Sequence, residues 1–238
     1  FRRGGFVEVR DTDDLLDALK VFRARRLPRG NRVGVITLSG GAGVLLADRC
    51  IELGLQLPPL AAATAGILRE VVVTFASIAN PVDATANGYN DNFASYNRVI
   101  ATVLADPGID QVIARSPRGS AATAWSRSFI EVARTSDKPI LMNWPTSPDD
   151  NAEVMQYLEQ NGVPCILAPG RTVRALAALN EFAQKKRAFE QRPRHAAPRL
   201  IAKQPLELPE AVGTLGEHRS KRILGRYGIP TVNEVLLS

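Results

Sequence analysis

Five consecutive residues, Ser39-Gly40-Gly41-Ala42-Gly43, join the β-rich run Arg32–Leu38 (RVGVITL) to the apolar-periodic segment Val44–Leu53. Glycines at a strand-to-helix turn let backbone N–H groups face outward, and the helix N-terminus adds roughly half a positive charge. A phosphate or carboxylate is the natural guest of such a turn. Close helix–strand packing would use the same glycines, so the residues leave both readings open.

Ligands of an open parallel sheet bind outside the carboxyl ends of its strands. The residues that follow each β-rich run are therefore the next candidates. They are Asn80 and Asp83 in the second connection, Arg115, Ser116, Arg118 and Gly119 after the third strand, Asn143 and Trp144 after the fourth, and Gly170 and Arg171 after the fifth. Asp83 follows a rigid Asn80-Pro81 turn and is either a backbone cap or a polar group at the mouth of the site. Arg115 and Arg118 flank Pro117 and either meet an anion or face solvent. Trp144 reads as a packing residue.

Several sharper chemistries are excluded by spacing. Gly41-Ala42-Gly43 is followed by Val44-Leu45-Leu46, so the third glycine of a dinucleotide fingerprint is missing. No Gly-Lys-Ser/Thr forms a phosphate-binding P-loop, and Ser39 lacks the preceding glycine of a nucleophile elbow. The two histidines, His195 and His218, lie beyond the αβ region and cannot serve Ser39 as a base. No grouping of His, Cys, Asp and Glu has metal-ligand spacing. The two cysteines, Cys50 and Cys165, sit in apolar surroundings and read as buried thiols.

The elements that position these residues alternate. Strand-like runs at Arg32–Leu38, Leu55–Leu57, Asp110–Arg115, Pro139–Asn143 and Val163–Leu167 are interleaved with helical patterns. Those patterns cover Val44–Leu53, Thr64–Val73, Phe93–Leu104, Ala121–Thr135, Asp149–Gln160 and Arg171–Phe189, while Ser77–Asn87 reads as a loop. Short apolar strands separated by single helices predict an α/β fold, a doubly wound parallel five-stranded sheet, flavodoxin-like, with strand order 2-1-3-4-5. Gly5–Arg10 alternates like a strand, and Asp11-Thr12-Asp13-Asp14 opens a helix with acids at its positive end. Residues 1–30 then read as the tail of a preceding unit, 31–190 as the αβ domain, 191–213 as a linker and 214–238 as the opening of another module.

The chain has 238 residues and a formal net charge of +6. Between Lys185 and Gln204 lie seven basic residues and one acid, so that stretch carries the whole excess. Pro193, Pro198 and Pro205 interrupt or follow it, which suits a solvated linker better than a nucleic-acid surface. No apolar run approaches the about 18 residues of a membrane span. The start, Phe1-Arg2-Arg3-Gly4-Gly5, has no secretory pattern and no initiator Met, and predicts a cytoplasmic fragment of a longer protein.

Asn31–Leu53, the loop Asn80-Pro81-Val82-Asp83-Ala84-Thr85 and the stretch Leu104–Asp110 together resemble the CoA-ligase-type domain of the NDP-forming acyl-CoA synthetases, relatives of succinyl-CoA synthetase. Glu217–Pro230 is similar to the opening of that family's ATP-grasp domain, the nucleotide-binding part. The resemblance implies a reaction in which acyl-CoA, nucleoside diphosphate and phosphate equilibrate with acid, CoA and nucleoside triphosphate. It proceeds through an acyl phosphate and a phosphohistidine on a mobile loop. CoA, ATP or ADP, and magnesium belong to the complete enzyme, and none is assigned to this stretch. By the same resemblance, Gly40–Gly43 would be one of the helix ends that face the phosphohistidine, with Ser39 adding a hydroxyl donor. The CoA-binding and histidine-bearing domains would lie upstream and the ATP-grasp domain downstream, within a homo-oligomer. The fragment alone is then expected to be inactive, with no catalytic residue of its own. The alternative is a scaffold or acyl-CoA sensor that keeps the fold without the chemistry.

Overall fold

The computed structural model describes residues 5–118, 121–145, 147, 151–191, 213–232 and 234. The chain divides into two compact units, Phe1–Gln191 and Arg192–Ser238. In the first, helix α1 (Thr12–Arg23) precedes strand β1 (Val33–Thr37) and helices α2 (Gly40–Glu52) and α3 (Ala62–Val71). Strand β2 (Val82–Asp83), a 3-10 turn at Ala86–Asp91 and helix α4 (Ala94–Ala105) follow. Then come β3 (Gln111–Arg115), α5 (Ala121–Ala133), β4 (Ile140–Trp144), α6 (Ala152–Gln160), β5 (Cys165–Leu167) and α7 (Pro169–Glu190). The second unit contains α8 (Glu217–Arg226).

The five strands pair in parallel in the order β2-β1-β3-β4-β5. Each central strand is buried on both faces, so it reads as a continuous apolar run rather than as an alternation. Successive side chains nevertheless point to opposite faces. Val33, Val35, Ile113, Leu141 and Ile166 join residues of α1, α2 and α7 in one core layer. Ile36, Val112, Ala114, Met142 and Trp144 join residues of α3, α4, α5 and α6 in the other. Since α2 follows β1 on one face and α5 follows β3 on the other, the strand order switches direction between β1 and β3. That switch opens a crevice at their carboxyl ends.

Two elements differ from expectation. Leu55–Leu57 is not a sheet strand: it makes a single bridge, Gln56 to Arg32, and Pro58-Pro59 follow, where missing N–H groups end any ladder. The second strand is instead Val82–Asp83, inside the stretch expected to be a loop, in register with Ile36 and Thr37. Likewise α2 begins at Gly40 rather than Val44, so the glycines are its first turn.

Phe6–Val9 forms no strand. Helix α1, read from sequence as the end of a preceding unit, packs on α7 within the first compact unit. Its Asp11 side chain accepts from the Asp14 N–H as an N-cap, and Phe22 meets Phe182 edge-on at 5.1 Å. Most of the expected linker, His195 and most of residues 231–237 lie outside the described residues, as do Gly119 and the acids Asp149 and Asp150. Among the described residues no helix is long and apolar enough to cross a membrane.

Candidate functional site

Helix α2 starts directly at the switch crevice. Its N-cap is Ser39, in extended backbone, and the Ser39 hydroxyl makes no capping hydrogen bond. The Ser39 N–H instead donates to Thr37 Oγ1 at 2.9 Å, and that hydroxyl donates on to the Ser39 carbonyl at 2.8 Å. This small ring fixes where the strand ends, and among the described residues no side chain accepts from the first-turn N–H groups of α2. Ser39, Gly40 and Gly41 are exposed, while Ala42 and Gly43 are buried.

The glycines have different surroundings. A Cβ at Gly43 would lie 3.1 Å from Thr37 Cγ2 and 3.4 Å from Pro81 Cβ, so Gly43 allows close packing of helix on strand. A Cβ at Gly41 would meet nothing within 4 Å. Gly41 therefore opens space at the tip rather than relieving a clash. Close packing is thus the duty of Gly43, and Gly41, two residues earlier, leaves the tip open.

Asp83 borders the tip on the β2 side. Its Oδ1 accepts from the Thr85 N–H at 3.0 Å, and a Cβ at Gly40 would lie 3.1 Å from its Oδ2. Asn80 stands elsewhere. Its Oδ1 accepts from the Val35 N–H at 3.0 Å, while its Nδ2 donates to the carbonyls of Val33 at 2.8 Å and Pro58 at 3.1 Å. The carboxamide thus pairs with the part of the β1 edge that the two-residue β2 does not cover, and its donors are spent on backbone.

On the β3 side, Arg115 lies one residue beyond the Ile36–Ala114 pair, beside Thr37. By alternation from Ile113 its side chain is on the face of α2 and α7. Arg115 Nη1 donates to Asn143 Oδ1 at 2.8 Å, and Asn143 Nδ2 donates to Thr172 Oγ1 on α7 at 2.9 Å. Asn143 is fully buried, and this relay ties the guanidinium to α7. Tyr96 Oη donates to the Arg115 carbonyl at 2.7 Å, and the Arg118 N–H donates to Tyr89 Oη at 2.9 Å. Partial burial lowers the Arg115 pKa from its ordinary value, and the neighbouring positive charge of Arg118 lowers it further. Among the described residues, no carboxylate comes within ion-pair distance of either arginine. The supporting residues carry no sequence signal: Tyr96 and Thr172 are single polar atoms among buried positions, and Tyr89 is one residue of the polar turn Ala86–Asp91.

The remaining candidates are structural. Arg171 is bound by Asp17 at 2.7 Å and Asp13 at 3.2 Å, which docks α1 on the first turn of α7. Trp144 is buried in the layer beneath α5 and α6, and its Nε1 has no hydrogen-bond partner. Cys50 and Cys165 are buried free thiols, and burial pushes the Cys50 thiol up to about 12. In the second unit, exposed His218 contacts Glu234 at 3.1 Å. Among the described residues no group of His, Cys, Asp and Glu could hold a metal ion.

A parallel sheet with this order, whose first helix opens on an uncapped glycine turn at the switch point, is matched over residues 33–188 by the Ligase-CoA domain family. The chain belongs to that family. This Ligase-CoA chain is 30% identical over 190 residues to the alpha subunit of ADP-forming acetate–CoA ligase II from Pyrococcus furiosus, covering 77% of the chain and 40% of that relative. It is 23% identical over 239 residues to the ADP-forming acetate–CoA ligase of Methanocaldococcus jannaschii, covering 97% of the chain and 34% of the relative. The dinucleotide-forming acetyl-coenzyme A synthetase 1 of Ca. Korarchaeum cryptofilum shares its fold, with a TM-score of 0.69 at 23% identity, over 79% of this chain and 41% of that one. The Ligase-CoA chain therefore spans well under half the length of these relatives.

Proposed function

We propose that the chain supplies the Ligase-CoA domain of an NDP-forming acyl-CoA synthetase, and that the N-terminus of α2 receives the phosphoryl group of a phosphohistidine presented by a neighbouring domain. The observation that carries this reading is the exposed first turn of α2 at the β1/β3 crevice. Its N–H groups lack a side-chain cap, and Gly41 leaves the tip open. Preorganised N–H donors at a helix N-terminus suit a group bearing about two negative charges.

In the overall chemistry, phosphate displaces CoA from acyl-CoA to give an acyl phosphate. The histidine then takes the phosphoryl group and releases the acid, and nucleoside diphosphate takes it in turn. This domain's part is to hold the phosphoryl oxygens and shield them from water while the histidine side chain delivers them. In this reading CoA, nucleotide and magnesium belong to the other domains. Residues 31–190 form the working domain in this reading, 191–213 a connector and 214–238 the start of the ATP-grasp part. The reaction is cytoplasmic, where CoA and nucleotides are available, and homo-oligomeric assembly is part of the same reading.

The test is a synthetase assembled from this chain and its missing domains, with Gly41→Val in the glycine turn. A Cβ there would meet nothing within 4 Å. The variant should fold, bring its branched side chain to the mouth and lose acyl-CoA formation. Normal turnover would refute the cradle. The unaltered chain by itself should form no acyl-CoA under saturating substrates.

A further inference from the structure

The charges around the tip do not balance. A helix N-terminus offers roughly +0.5, against about −1.5 to −2 for a phosphoryl group. The Asp83 carboxylate beside Gly40 adds a further negative charge. The first turn of α2, Gly40-Gly41-Ala42-Gly43, contains no cation. The neighbouring basic side chains are mostly committed. Arg171 pairs with Asp17 and Asp13, and Arg174 with Asp14.

Arg115 and Arg118 are different. They lie three residues apart at the end of β3, on the opposite side of β1 from Asp83, without a carboxylate partner among the described residues. A half-buried arginine with only a neutral amide as acceptor is costly to hold in place. Here it is held by the Asn143–Thr172 relay and by two tyrosine hydroxyls on the backbone of its strand end. Among the described residues no carboxylate balances the positive charge of this rigid strand end, which suits it to an anion brought from elsewhere.

We infer that Arg115 is the counter-cation of the phosphoryl group received at the α2 tip, with Arg118 as the outer charge and Asn143 as the residue that aims the guanidinium. The inference rests on the function proposed above and names the ligand class: a phosphoryl dianion, bound between a helix N-terminus and a planar guanidinium fork. Arg115 lies on the sheet face that carries both α2 and α7, at the end of the strand next to β1, from which α2 starts.

The test titrates this chain with inorganic phosphate at low ionic strength, by calorimetry and phosphorus NMR, for the unaltered protein, Arg115→Gln, Arg115→Lys, Arg118→Gln and Gly41→Val. Thermal melts check that each variant folds. Arg115→Gln should weaken phosphate binding about ten- to a hundredfold, the usual worth of a charged hydrogen bond. Arg115→Lys should recover part of the loss, and Arg118→Gln should cost a few-fold. If Arg115→Gln binds phosphate like the unaltered chain while Gly41→Val does not, the cradle stands and the arginine inference falls. If Gly41→Val binds normally while Arg115→Gln does not, the arginine site stands and the helix-tip reading falls. Absence of phosphate binding to the unaltered chain overturns the inference outright.

Discussion

Asp83 and Gly40 touch across the mouth of the candidate site: a Cβ on Gly40 would lie 3.1 Å from Asp83 Oδ2. A carboxylate therefore stands against the helix end proposed to accept an anion. At about 5 Å in a solvated cleft, like charges repel by roughly 1 kcal/mol. Asp83→Asn keeps an oxygen for the Thr85 N–H and removes the charge. It should tighten inorganic phosphate binding about fivefold in calorimetry. Unchanged or weaker binding would place the ligand away from this carboxylate.

Gly41 and Gly43 separate access from packing. Gly43→Ala pushes a methyl to 3.1 Å from Thr37 Cγ2 and 3.4 Å from Pro81 Cβ, between parts that cannot move far. It should destabilise by about 1–3 kcal/mol, the usual cost of overpacking. Gly41→Ala meets open space within the helix and should stabilise by up to about 1 kcal/mol. Urea denaturation of the two variants checks the contrast, and equal effects would contradict it.

Residue pattern made the five-strand order legible because each buried strand is a short apolar run with a helix on either side. The second strand was misplaced for a physical reason. Val82–Asp83 is two residues long and follows Asn80-Pro81, which looks like a turn, whereas Leu55–Leu57 looks apolar but ends in two prolines. At the site, the glycine turn was visible because glycine constrains backbone regardless of context. The distinct duties of Gly41 and Gly43 were not visible, since they depend on Pro81, far away in sequence. Asn80 was visible as a polar residue before proline. Its pairing with the β1 edge depends on β2 being too short to cover that edge, which no local pattern encodes.

Asn80→Ala tests that clamp. The change strands the Val35 N–H and the Val33 carbonyl beside a strand with no replacement partner. A loss of about 2–4 kcal/mol is expected from unpaired buried backbone groups, with a fall in melting temperature of several degrees. Phosphate affinity of the folded fraction should be unchanged, because the carboxamide does not face the site. A variant that melts normally but loses phosphate binding would return Asn80 to the mouth.

Gln111 is the converse case. It is fully buried at the start of β3, and among the described residues neither its Oε1 nor its Nε2 has a hydrogen-bond partner. An unpaired buried amide costs about 1–3 kcal/mol. Gln111→Met keeps the length and removes the polar atoms, so it should raise the urea midpoint without changing the slope. A lowered midpoint would mean that the amide is satisfied in solution.

The acid limb of stability should depend on the amino end of the sheet. Arg32 holds Asp110 by a two-point contact, Nε and Nη2 each donating at 2.8 Å, and this holds the Asp110 pKa below the ordinary aspartate value. At Asp106, burial acts to raise the pKa, but hydrogen bonds from Thr64, the Ala61 and Gly108 N–H groups, and the charge of Lys138 together lower it. A carboxylate whose folded pKa is depressed stabilises the fold fully above its unfolded pKa of about 3.9, and the contribution is lost as pH falls through the lower folded value. Melting temperature should therefore change little from neutrality to about pH 5 and drop below about pH 4. Asp110→Asn removes one of the two titrations and leaves Arg32 without its partner. Its melting temperature should be lower at neutral pH, and the gap to the unaltered chain should narrow as acid is added. Two curves that stay parallel down to the acid limit would show that the Arg32–Asp110 pair contributes nothing to acid sensitivity.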